Sequence, residues 1–79
     1  MRIDKFLKVS RLIKRRTIAN EICDAGNASV NGKPVKASYN VSIGDVIELK
    51  MGARTVSARV EATDEVSGKD RAKEMYTLI

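Results

Sequence analysis

The residues best placed to do chemistry in this sequence are closely spaced cations. Arg2, Lys5, Lys8, Arg11, Lys14, Arg15 and Arg16 all fall within the run RIDKFLKVSRLIKRR, where Asp4 is the one acid. The first sixteen residues therefore carry +6, while the other sixty-three hold eight basic and nine acidic residues. The whole positive excess of a chain of net charge +5 sits at one end. A solvated helix face usually mixes signs. A block this one-sided suits a polyanion such as nucleic acid. Charge alone leaves a membrane surface open as well.

Other chemistries are poorly supplied. The chain has no His, which removes the commonest general base and metal ligand. Cys23 is the only cysteine, so neither an internal disulfide nor a cysteine-based metal site is expected. A packed helix position is the expected role of Cys23. For an enzyme the best residues would be Asp4, Asp45, Glu48 and Cys23, yet no partnered base or phosphate-cradling glycine loop accompanies them. A non-catalytic protein without cofactor or metal is expected.

Seventy-nine residues make one small domain, and 43% hydrophobic with 32% charged residues is an ordinary soluble composition. No apolar run approaches the roughly 20 residues of a membrane span. The basic N-terminus is followed by no apolar block, so it is not a signal peptide, and a cytoplasmic, membrane-free protein is expected.

Two helices must position the cations. Ile3, Phe6 and Leu7 follow the i, i+3, i+4 pattern of one apolar face, with Arg2, Lys5 and Lys8 on the neighbouring arc. This predicts a helix over about 3–9. Asp4 in its first turn suits the helix dipole and could also brace an arginine. A second helix is expected from Arg15 or Arg16 to Ala25, with Ile18, Ala19, Ile22 and Ala25 as its apolar stripe, Cys23 at the edge, and Asn20, Glu21 and Asp24 facing water. Gly26 fits the left-handed residue that closes such a helix. Arg15 and Arg16 stand at its N-terminal end, whose free amides and dipole favour a phosphate.

From Ala28 onward the period changes to that of strands. Asn31-Gly32 is a strong two-residue hairpin signal, and Pro34 beyond it belongs on an edge. Lys36 follows on a loop to Asn40. Val41 and Ile43 alternate, Gly44-Asp45 turns, and Val46–Met51 and Thr55–Glu61 alternate again. Residues 64–74 read as a loop with one helical turn at Arg71–Glu74, and Met75–Ile79 as a closing strand. The expected class is α+β: two short N-terminal helices packed on a small, mostly antiparallel sheet of four or five strands, in a single domain over 1–79.

Taken in order, Arg2, Asp4, Lys5, Leu7, Arg11, Leu12, Arg16, Ala19, Ile22, Gly26, Val30-Asn31-Gly32, Lys36, Val41 and Gly44-Asp45 resemble the RNA-binding domain named after ribosomal protein S-four, also known as the alpha-L motif. The resemblance covers about residues 2–50. It implies a helix pair beside a compact sheet, and binding of structured RNA through that pair and the loop after it. It carries over Arg2, Lys5, Arg11, Arg16 and Lys36 as RNA contacts. Lys8, Lys14 and Arg15 join them on charge alone. Many members place Ser or Thr at the position of Arg15, as a helix N-cap. Stand-alone members include a small heat-shock ribosome-associated protein and bacterial ribosome quality-control factors. Resemblance to the latter, through KVSRLIKRRT and the MY-T-I ending, implies docking on the large ribosomal subunit, with its ribosomal RNA and peptidyl-tRNA as partners. It further implies cooperation with RqcH in C-terminal alanine tailing. A monomer is expected. Phe6 reads as core and Tyr39 and Tyr76 remain open, so stacking platforms are few; recognition by shape and backbone is favoured.

Overall fold

The computed structural model describes residues 1–63 and 69–79. Helix α1 spans Ile3–Val9 and helix α2 Arg16–Asp24. Five strands follow: β1 Ala28–Val30, β2 Lys33–Pro34, β3 Val46–Met51, β4 Arg54–Val60 and, after helix α3 at Lys69–Glu74, β5 Tyr76–Leu78. They form one antiparallel sheet in the order β2-β1-β3-β4-β5. This is the α+β architecture expected, with five strands among the described residues.

The local chemistry explains the elements. Asn31 (φ 52°) and Gly32 (φ 85°) both take the left-handed conformation a tight hairpin demands, and pair Val30 with Lys33. Pro34 lies on the edge strand β2, where a missing N–H costs no ladder bond. Asp45 closes its turn by accepting the Ser42 N–H at 2.8 Å and the Asn31 amide at 3.1 Å, so its role is conformational.

The core lies between the helix pair and one sheet face. Ile3, Phe6 and Leu7 are fully buried and pack with Ile47, Leu49, Val60 and Met75. The second helix is rotated from the expected stripe. Ala19 and Cys23 are fully buried, whereas Ile18 is 44% exposed and Ala25 is exposed. Ile22 is only half-buried. Asn20, expected to face water, is half-buried and bonds inward, as described below, while Glu21 and Asp24 are exposed as expected. Ile43, expected to alternate in a strand, is 68% exposed on a turn. The helix at Lys69–Glu74 is longer than the single turn expected, with Ala72 buried against the domain. The expected loop over 64–68 lies outside the described residues.

Candidate nucleic-acid interface

Asp4 organises the cationic end. It is 2% exposed, held inside by the same turn of α1 that buries Ile3 and Leu7. Its Oδ1 accepts the Lys5 backbone N–H at 2.8 Å. Arg2 bonds both carboxylate oxygens, through Nε at 3.2 Å and Nη2 at 3.3 Å. Arg16, at the start of α2, approaches from the other helix, with Nε 3.4 Å from Oδ2 and Nη2 3.5 Å from Oδ1. Asn20, one turn further on α2, donates to Oδ2 at 3.3 Å. Burial by itself would raise the Asp4 carboxyl. The Asn20 and Arg16 bonds, the Lys5 N–H and the charge of Arg16 outweigh it and hold the group below its ordinary range.

One carboxylate thus fixes two guanidiniums borne on different helices. Arg2 and Arg16 each keep 47% of their side-chain surface exposed. Each turns one edge to Asp4 and presents the remainder to solvent. A guanidinium has five donors, so an edge remains for a phosphate. Two positive charges on one negative charge leave the clasp net positive.

The loop after β2 is drawn against the clasp. The Ile3 N–H donates to the Tyr39 carbonyl at 2.7 Å, and Arg2 forms an isolated bridge with Asn40. At the loop's other end Asp24 Oδ1 accepts the Ala37 N–H at 2.9 Å. Lys36 Nζ lies 3.4 Å from the Asp24 carbonyl. Lys36 therefore stands at the C-terminal end of α2, where it also satisfies the helix dipole. Tyr39 is 38% exposed.

The remaining candidates divide. Arg15 is the N-cap of α2 in extended conformation, makes no capping bond and is exposed. Lys5 is half-buried beside Asp4. Lys8, Arg11 and Lys14 line a separate open concavity together with Lys73 and Tyr76. Arg11 takes φ 63° at the turn that ends α1, its N–H on the Lys8 carbonyl at 3.1 Å. Glycine usually fills such a position. Ser10 beside it is buried and donates to the Leu7 carbonyl at 3.3 Å.

The helical spacing places Asn20 on the solvated face, and nothing in the sequence singles out Lys73. For Asn20 the signal was its place one turn after Arg16. For Lys73, thirty-seven residues beyond the last expected cation, no local signal exists. Cys23 is buried; that burial, then the charges of Asp4 and Asp24, push its thiol up to about 11, leaving it no nucleophile at neutral pH. Among the described residues no group of acids or Cys23 could hold a metal, and no helix is long and apolar enough to cross a membrane.

Known proteins resemble this chain in sequence and fold. The sequence profile of the S4 domain matches residues 1–47. The chain is 48% identical over its full length to the RQC P-site tRNA stabilizing factor of Listeria monocytogenes, covering 86% of that protein. It is 47% identical over its full length to the factor of the same name from Bacillus subtilis, covering 92% of it. The solved trimeric structure of heat shock protein 15 from Vibrio cholerae superposes with a TM-score of 0.88 at 30% identity, over all of this chain and 81% of that one. The chain belongs to the S4 domain family and, within it, to the group of the RQC P-site tRNA stabilizing factors.

Proposed function

We propose that this protein is a non-catalytic factor that docks on the RNA of the large ribosomal subunit and steadies peptidyl-tRNA there during ribosome quality control. The observation that carries the reading is the clasp of Arg2 and Arg16 on buried Asp4. It holds two half-exposed guanidiniums at a fixed spacing before any RNA arrives, so little side-chain entropy is lost on docking. Relatives at 47–48% identity are P-site tRNA stabilizing factors, which supports the ribosomal setting and the tRNA. Arg2, Lys5, Lys8, Arg11, Lys14, Arg15, Arg16 and Lys36 are the proposed RNA contacts, acting as a monomer in the cytoplasm. RqcH is the proposed partner, with alanine tailing of stalled chains as the process served.

The test is co-sedimentation with purified large subunits that either carry peptidyl-tRNA or are empty. Tighter binding to the loaded subunit is expected; equal binding to both would remove the tRNA from the reading. Anionic vesicles in the same assay should bind weakly. A second reading, a heat-shock factor that recycles large subunits, draws on the 0.88 superposition with heat shock protein 15. Co-purification of RqcH and alanine-tailed chains with the tagged protein separates the two.

A further inference from the structure

We propose that a second phosphate-binding site lies where the turn after α1 meets the C-terminal α3–β5 unit, and that Lys73 and Tyr76 belong to it. The site would take backbone phosphates of the same folded RNA, so this inference rests on the docking reading above.

The concavity measures about 570 Å³ and is open to solvent. Lys8, Arg11 and Lys14 line it from the N-terminal side, and Lys73 and Tyr76 from the C-terminal side. Four cations from two distant stretches of chain therefore line it together, and none of the described lining residues carries a carboxylate. Like charges gathered in this way repel one another, and an anion between them relieves that repulsion. Glu74, the acid next to Lys73 in sequence, is bonded to Arg71 at 2.8 Å. Arg11 is held in a left-handed conformation that favours glycine or asparagine over arginine, and an unfavourable local choice at a concave cationic site is a mark of function. Tyr76 is half-buried against the core, which gives the concavity a stiff wall with an aromatic edge. Lys8 stands one helical turn beyond Asp4, so the single short helix α1 links the concavity to the Arg2–Asp4–Arg16 clasp. Lys73 and Tyr76 lie outside the matched S4 segment of residues 1–47, so the C-terminal unit would add contacts of its own.

The experiment measures binding of the full chain to purified large ribosomal subunits between 50 and 200 mM salt. The variants are Lys73→Ala, Lys73→Arg, Arg16→Ala, the double variant, and Lys50→Ala as an exposed cation on strand β3. Lys73→Ala should lower the salt slope by about one unit, so that it loses about three- to fourfold less affinity than the unmodified protein across that range. Lys73→Arg should restore the slope, the double variant should lose about two units, and Lys50→Ala should change nothing. If Arg16→Ala flattens the slope and Lys73→Ala does not, the second site is wrong while the docking reading stands. If neither has an effect, the docking reading falls too. Equal effects of Lys73→Ala and Lys50→Ala would reduce the site to bulk charge and overturn it.

Discussion

Asp4 and Arg16 stand twelve residues apart and on different helices, yet their charged groups meet at 3.4–3.5 Å over a carboxylate that is almost wholly buried. The pair locks α1 to α2 at the end where the cations are densest. It makes Asp4, the lone acid of the basic run, the part that arranges Arg2 and Arg16.

That relationship separates organisation from bulk charge. Asp4→Asn raises the net charge by one, and simple attraction to RNA would then strengthen binding. With the clasp as the positioning device, binding weakens instead, because Arg2 and Arg16 lose their common anchor. The substitution should also cost roughly 2–3 kcal/mol of stability, since several charge-assisted bonds to one buried group are lost, tempered by the exposure of both arginines. Thermal unfolding and subunit binding of the variant check both parts; tighter binding contradicts the account.

The pH dependence follows from the same carboxylate. Its folded value lies below the ordinary 3.8, so its ionised form is favoured by folding. The stability it contributes is complete above the unfolded value and is lost as pH falls through the folded one. The melting temperature should therefore show no Asp4-linked change between pH 7 and 5 and fall below about pH 4. Asp4→Asn should fall less steeply over that acid limb. Parallel acid limbs in both proteins would contradict it.

Phe6 is fully buried and is the largest such side chain in the core. Phe6→Ala should cost about 3–5 kcal/mol, enough to threaten the fold of so small a domain. Denaturant titration checks this; a loss under about 1 kcal/mol would show that the ring leaves no cavity.

Arg11 offers the opposite trade. Its left-handed backbone is worth about 1–2 kcal/mol of strain, of which glycine's greater unfolded freedom returns about 0.5–1. Arg11→Gly should leave the melting temperature unchanged or raise it slightly while weakening subunit binding. A marked loss of stability would mean that the side chain, not the RNA, explains the arginine.

Much of this was legible in the sequence because it is local. The Asn31-Gly32 turn, the edge place of Pro34, both N-terminal helices and the Phe6 core position depend on neighbours within a few residues, and all agree with the structure. What depends on distant partners was not legible. For Asp4 the sequence offers both dipole compensation and a brace for an arginine, but that Arg16 and Asn20 of the other helix close over it shows only in the fold. The face of α2 was only partly legible for a similar reason: Ala19 on the expected stripe and Cys23 at its edge are both buried, but the bulkier Ile18 is left exposed. Lys73 joins the cations through a helix whose polar sequence gave little sign of packing.

The most direct test of the central claim is the dependence of large-subunit binding on salt for the unmodified chain and for Arg16→Ala. If about six phosphates are neutralised, affinity should fall by roughly 10³-fold or more between 50 and 200 mM salt, and Arg16→Ala should bind more weakly with a slope about one unit shallower. A shallow slope in the unmodified protein, or an unchanged slope in a folded Arg16→Ala, would contradict it.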